Sequence, residues 1–282
     1  MVTGQKTIQT TNNLTTHTNK VLSIQISLSG LSFCILNKQS HVITYFKQVH
    51  FDKKITPFET LERLKTVLET ETELNQPFVS VLAIYQNELS NLVPQSLFDE
   101  NNAADYLKFS SKILKNDFIS HDVITTNNSV NVYVPYVNIN NYLFDTFGEF
   151  EYKHSSTIFI DSCLQKEKTS NDVKLYINVE AHHFELVALN KGKLLLYNTF
   201  EYATKEDFIY FVLFTIEQLK LNPETVILKL SGNIEKEDDL YAVTYKYIRF
   251  VEFDKPFQKY KYTDQTQPKK EHHNTIILNS FI

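Results

Sequence analysis

Tryptophan is absent from this 282-residue chain, methionine occurs once and cysteine twice. Glycine is also scarce, at five residues, so there is little material for a glycine-rich loop that brings backbone N–H groups against phosphate. Of 28 basic residues only Arg63 and Arg249 are arginine. Arginine is the better bidentate clamp for phosphate, so its scarcity counts against a phosphate-rich ligand, although a general preference for lysine codons gives the same composition. Net charge is −5, which excludes a broad basic face for nucleic acid. No apolar run approaches the ~20 residues needed to cross a membrane. The Thr/Asn/Gln-rich start lacks the apolar stretch of a secretory signal. Cys34 and Cys163 lie in apolar surroundings, which suits buried thiols in a reducing compartment; a disulfide between them is the alternative. The expected location is the cytoplasm.

What is present is a folded chain of ordinary balance, 42% hydrophobic and 22% charged. Its length suits two lobes of roughly 130 residues better than one simple core. The pattern contains the same design twice. Leu22, Ile24, Ile26 and Leu28 alternate with Ser23, Gln25, Ser27 and Ser29, the period of a half-buried strand. A turn at Ser29-Gly30, a strand over 31–36, a turn over 37–40 and a strand over 42–49 follow. Thr56-Pro57-Phe58-Glu59 then reads as a capping box opening a helix, with Phe58, Leu61, Leu64 and Leu68 on one face. Asn75-Gln76-Pro77 stops it, and 78–84 is a buried strand.

The second unit repeats these events: strands over 173–179, 183–189 and 194–199, a capping box at Thr204 to Asp207, a helix through Phe208 to Leu219, a stop at Asn222-Pro223 and a strand over 226–230. One offset of 153 separates Leu22 from Leu175 and Lys38 from Lys191. The caps Thr56 and Thr204 are 148 apart and the prolines Pro77 and Pro223 are 146 apart, the drift that changes in helix length produce.

Between the units, 97–114 reads as a helix, 120–136 as a hairpin, 137–147 as a short helix ended by Gly148, 150–153 as a strand and 156–167 as a helix. After Gly232 come a helix over 236–248 and an edge strand over 249–253. The resulting organisation is a flexible tail over 1–20, a first lobe over 21–168 with an insertion at about 97–136, a second lobe over 169–254, and a polar linker with an apolar end over 255–282.

This order of elements resembles the actin-like, ribonuclease-H-like superfamily. The passage from Val132 to His154, with Pro135 before the helix and Gly148 after it, is similar to actin-like platform proteins of type IV pilus and type II secretion machinery. That passage and Tyr197 to Tyr210 resemble, more closely still, an uncharacterised bacterial domain-of-unknown-function family. The resemblance implies an α/β, duplicated, two-lobed actin-like fold with an inserted subdomain in the first lobe. It also implies where a nucleotide cleft would lie: Gln25, Ser27, Asn178, Glu180, Gly232 and Asn233 occupy the family positions. Active members carry an acid in each hairpin for Mg²⁺ and glycines where backbone meets phosphate. Here the acids are the amides Gln25 and Asn178, and Ser27 and Glu180 replace glycines. One unit charge pair at ~4 Å and an effective dielectric of ~20 is worth about 4 kcal/mol, so losing the acids and adding Glu180 near phosphate weakens nucleotide binding by orders of magnitude. Asp145 or Asp161 are the acids that could stand in if ATP and magnesium were bound after all.

Other candidates read as structure. Neighbouring residues on a strand point to opposite faces, so His182 and His183 divide into one surface and one packed histidine, and His272-His273 reads as a solvated tail; no metal is expected at either pair. Cys163 has no histidine at a nucleophile's spacing and shares an apolar helix face with Ile160. The acidic run from Glu235 to Asp239 suits a helix start. Gly232 is either a turn glycine or the remnant of the adenosine loop. The helix through Phe208 is apolar around most of its circumference, which fits a position between the lobe sheet and the insertion or a contact with a partner. The segment from Thr275 to Ile282 either closes the fold or docks on another protein. Together these residues point to a degenerate, non-catalytic actin-like protein, a pseudo-ATPase without cofactor. It would serve as a platform for protein partners, a second copy of the chain included. The alternative is an ATP-binding kinase or ATPase with relocated acids.

Overall fold

The computed structural model describes residues 19–109, 111–114 and 116–282. Of the tail expected over 1–20, residues 1–18 lie outside them, and Lys20 already belongs to the first strand. β1 (Lys20–Ser27), β2 (Gly30–Asn37) and β3 (Val42–His50) form an antiparallel meander. α1 (Pro57–Thr70) follows, and β4 (Ser80–Gln86) returns parallel to β1. β5 (Ser90–Pro94), β6 (Ser120–Ile124) and β7 (Ser129–Tyr133) make a separate sheet in the order β5-β7-β6. α2 (Val137–Phe147), β8 (Glu151–His154) and α3 (Ser155–Lys166) complete the first half.

In the second half β9 (Val173–Val179), β10 (His183–Asn190) and β11 (Lys193–Glu201) repeat the meander. α4 (Lys205–Gln218), β12 (Ile227–Gly232), α5 (Asp239–Tyr247) and β13 (Phe250–Phe253) follow. A two-residue strand, β14 (Lys261–Tyr262), and a short helix, α6 (Thr275–Asn279), end the described chain. The main sheets run β14-β3-β2-β1-β4-β8 and β11-β10-β9-β12-β13, so strand order around each meander is the same. The registers match as well. Adding 153 to the cross-strand pair Gln25–Ser32 gives Asn178–Glu185, also a pair. Bulges break the next ladder at Ile35/Leu36 and at Ala188/Leu189, again 153 apart.

Strand alternation builds the layers. On β1, Leu22, Ile24 and Ile26 face a core completed by Leu64, Val67 and Leu68 of α1 and Ile139 and Leu143 of α2. On β9, Leu175, Ile177 and Val179 face the equivalent core under α4, with Phe208, Val212 and Ile216. The opposite faces of both sheets look inward. α3 lies between them, giving Ile158 to the first sheet and Phe159, Ile160, Cys163 and Leu164 to the second. Both capping boxes form: Thr56 and Thr204 each accept the backbone N–H of the acid three residues on, and that acid accepts the cap's own N–H. Gly148 ends α2 at φ +75°, a conformation that costs a residue with Cβ. Both cysteines are free and buried. No helix among the described residues is long and apolar enough to cross a membrane.

The structure differs from the sequence reading in five places. Residues 97–114 contain 3₁₀ turns at Gln95–Leu97 and Glu100–Tyr106 rather than an α-helix. Local side chains outcompete the helix: Asp99 accepts from Asn101 N and Asn102 Nδ2, and Tyr106 OH donates to Leu97 O while accepting from Asp99 N. Phe58, expected on the buried face of α1, is 74% exposed, because that face begins a turn later at Leu61 and Leu64. α5 starts at Asp239, since Asp238 binds Glu235 N and holds 235–238 as a turn. α4 packs on β11 and α5, yet Tyr210 and Phe214 stay exposed.

The fifth difference is the largest. Residues 255–282, expected as a linker and an apolar end, complete the first sheet: β14 pairs with β3 and α6 covers the inner face. Ile276, Ile277 and Leu278 bury against Val21, Cys34, Leu36, Ile43 and Ile84. Ser280 Oγ meets Ser23 Oγ at 2.7 Å, and Tyr260 OH donates to Leu278 O at 3.0 Å. Ile277→Ala should therefore cost about 2–5 kcal/mol in urea unfolding. Removal of 275–282 should expose the Cys34 thiol to a thiol reagent under native conditions, while Cys163, buried against the other lobe, stays slow.

Candidate functional site

The alternation that buries Ile24 and Ile26 on one side of β1 turns Gln25 and Ser27 to the other, toward the second lobe. On β9 the same rule buries Ile177 and Val179 outward and turns Asn178 inward, with Glu180 just beyond the strand end. Gln25, Ser27, Asn178, Glu180, Gly232 and Asn233 all line one cavity between the lobes, of about 250 Å³. That is smaller than the roughly 300–1,000 Å³ of common ligand pockets. It adjoins a wider cleft of about 720 Å³, with which it shares Ser27, Phe51, Gln86 and Glu180.

The cavity is crossed by hydrogen bonds. Gln25 Nε2 donates to Gln86 Oε1 at 2.6 Å, and Gln86 Nε2 donates to Glu180 Oε1 at 2.8 Å. Asn178 Nδ2 lies 3.3 Å from both Glu180 Oε1 and Glu185 Oε2, and Ser231 Oγ donates to Asn178 Oδ1 at 3.3 Å. Tyr197 OH donates to Glu185 Oε1 at 3.0 Å. The result is an amide–carboxylate chain from β1 through β4 into β9, β10 and β11, joining the lobes. Ser27 stays within its own turn, donating to Gly30 O at 3.0 Å and accepting from Ser29 N at 3.2 Å.

Glu180 brings a carboxylate to this site. Burial pushes the Glu185 carboxyl up to about 7; the Tyr197 hydrogen bond opposes this, and the Glu180 charge adds to it. Neither Asp145 nor Asp161 stands at the cavity, which corrects the idea of relocated acids there. Asp145 is exposed on α2, and Asp161 on α3 binds Thr126 Oγ1 and Gln165 Nε2. Gly232 has a structural cause of its own. Its φ is +82°, and a Cβ there would meet Val179 O at 2.2 Å and Asn178 Oδ1 at 2.8 Å. Asn233 N donates to Val179 O at 2.7 Å, closing the loop over β9.

Gln86, Glu185 and Tyr197 were not read from the sequence as site residues. Glu185 carried a signal, a lone acid within the apolar run from Phe184 to Leu189. Gln86 carried none, since it is one amide at a strand end. The histidine pairs also resolve. His182 is exposed and His183 half-buried. His272 is buried and stacked on Phe253 with ring centroids 4.1 Å apart, so the reading of a solvated tail is wrong; α6 draws this segment into the core.

With this geometry in place, comparisons identify the fold. The family model described as protein of unknown function (DUF3822) matches residues 9–251. A Bacteroides thetaiotaomicron protein with actin-like ATPase fold and unknown function superposes with a TM-score of 0.74 at 22% identity, over 89% of this chain and 93% of that one. The PilM–PilN type IV pilus biogenesis complex superposes with a TM-score of 0.60 at 12% identity, over 92% and 96%. No curated protein matches significantly. The architecture is therefore actin-like, two-lobed α/β.

Two outcomes follow from the site. Glu185 binds its proton more tightly folded than unfolded, so its contribution to stability is full below its ordinary value of 4.5 and is lost as pH rises through about 7. Glu185→Gln should gain on the wild type by about 2–3 kcal/mol between pH 5 and pH 8 in urea unfolding; parallel curves for the two proteins would contradict this. Gly232→Ala should destabilise the fold by at least about 1–3 kcal/mol, by strain and by collision with the β9 backbone.

Proposed function

The chain belongs to the DUF3822 family of proteins of unknown function, and from that premise we propose that it is a non-catalytic actin-like platform for protein assembly. The observation that carries this reading is the hydrogen-bonded chain Gln25–Gln86–Glu180–Asn178, which occupies the site where metal acids and phosphate would have to be. A Mg²⁺ ion needs anionic oxygen to offset its dehydration, and Gln25 and Asn178 supply neutral amides. A polyphosphate placed there meets Glu180 instead of a cation, and binding it requires breaking the Gln86–Glu180 bridge. Weak Coulomb attraction and a lost interlobe contact act in the same direction.

Two further observations support a role in assembly. PilM, whose fold this chain shares, is found in a complex with PilN. The exposed rings of Tyr210 and Phe214 lie stacked along α4, where a self-contained lobe has no need of them. The matched registers of the two hairpins support descent from one duplicated unit, which accounts for an architecture kept after its nucleotide chemistry was lost. Two buried free thiols fit a reducing, cytoplasmic setting.

The competing reading is an ATP-dependent enzyme, for which the fold alone speaks. Calorimetric titration with Mg-ATP separates the two. The platform reading expects no saturable heat at millimolar nucleotide, no thermal shift and no phosphate release above background. Micromolar binding, or release that Asn178→Ala abolishes, would establish the enzyme instead.

A further inference from the structure

Beside the cleft, and distinct from its amide chain, three metal-binding side chains converge. Glu235 follows the Gly232 turn at the end of β12, where Ile234 is buried and Asp238 Oδ2 accepts Glu235 N at 2.7 Å. His272 and His273 lie in the 3₁₀ turn Glu271–Asn274, which α6 anchors in the first lobe. One donor atom from each of the three lies within 4.8 Å of the others. Glu235 Oε1 and His273 Nε2 are 3.0 Å apart. Two ligands at ~2.0–2.1 Å from one tetrahedral ion sit roughly 3.4 Å apart, so this pair would separate by about 0.4 Å to take an ion between them.

The state of each donor fits the same purpose. His272 Nε2 donates to Ile234 O at 2.9 Å, which leaves Nδ1 as the lone-pair nitrogen of a neutral ring. Phe253 stacks on the ring at an interplanar angle of 21° and holds it in place. A backbone carbonyl on the far nitrogen is the arrangement that orients and polarises metal-ligating histidines. The His273 ring meets the His272 ring edge-on, with centroids 4.5 Å apart. Glu235 Oε2 and His273 Nε2 are shielded from solvent. Lys270 Nζ stands 3.1 Å from Oε2 of Glu235, leaving Oε1 for an ion.

We propose that Glu235, His272 and His273 form a binding site for a divalent cation of the zinc class, with the fourth position open to water or to a donor from a partner. Two imidazoles and one carboxylate are a donor set that suits Zn²⁺ and disfavours Mg²⁺ and Ca²⁺, which take all-oxygen shells. A bound ion would tie the loop after β12, in the second lobe, to the C-terminal segment that completes the first. His273 also lines the interlobe cavity, so the ion would hold one wall of it. Neither the platform reading nor its failure alters this site, because none of the three residues belongs to the Gln86–Glu180 bridge.

The test uses the full chain after chelation, titrated with Zn²⁺ and separately with Co²⁺. One saturable equivalent is expected, with a Tm increase of several degrees at ~100 times Kd. Co²⁺ should give the intense visible absorption of a four-coordinate site. His273→Ala and Glu235→Gln should each weaken binding by about 100-fold or more, while His182→Ala, exposed and outside the donor cluster, leaves it unchanged. Absence of saturable binding, a weak six-coordinate Co²⁺ spectrum in the wild type, or undiminished affinity in His273→Ala would each overturn the site. The wild-type Co²⁺ spectrum decides the matter even if a variant fails to fold.

Discussion

Helix α3 has almost no free face. Residues from Ser155 to Ile160 and from Ser162 to Leu164 are buried, because the helix is packed on one side by the inner face of the first sheet and on the other by that of the second. Its first turn is held by buried polar groups rather than by apolar contact. Asp122 accepts from His154 N at 2.9 Å and from Thr157 Oγ1 at 2.8 Å, and Asn131 Nδ2 reaches Ser156 Oγ and Thr157 Oγ1, each at 2.9 Å. A carboxylate at a helix N-terminus is favoured by the dipole. Burial pushes the His154 imidazole down to about 4, so it stays neutral and bonds Asn87 O and Ser156. This helix sets the distance between the sheets, and the width of the cleft follows from that distance.

At that width, side chains of moderate length bridge the cleft. The Gln86 amide spans from β4 to Glu180 beyond β9, and Gln25 supports it from behind. A chain of this kind is cooperative and costly to leave half-made, since each buried amide has two donors and an acceptor to satisfy. The ends of α3 and β9 carry a second polar seam. Lys166 pairs with Asp254 at 2.6 Å, and Glu167 accepts from Lys174 at 2.7 Å and from Tyr176 OH at 2.5 Å. Both seams join elements of different halves of the chain, and both stiffen the relation between the lobes. Gln25, Gln86, Asn178 and Glu180 in this cleft already have partners within the protein.

Much of the fold was legible because it is written in local chemistry. The alternation at Leu22, Ile24 and Ile26, the capping boxes at Thr56 and Thr204 and the glycine stop at Gly148 act over a few residues, and each formed where the pattern placed it. The helix read over 97–114 did not form, because Asp99 and Tyr106 bind the local backbone, a competition that hydrophobic spacing does not report. β5 went unread because its neighbour β7 lies some forty residues along the chain. The candidate site was half legible. Gln25, Asn178 and Glu180 were picked out by the family resemblance, whereas Gln86 and Tyr197 gain their meaning from what lies opposite.

The amino-acid sequence by itself determined two similar hairpin–helix–strand units and the burial of one face of each, since these depend on residue type and spacing along the chain. Tertiary structure alone decided where the last twenty-eight residues go. Lys261 finds Val42, and His272 finds Phe253 and Ile234, through contacts that no local period encodes. It also decided that a glutamine from one lobe and a glutamate from the other meet across the cleft. Partnership between side chains distant in sequence depends on the spacing of packed sheets, and that spacing exists only once the core is closed.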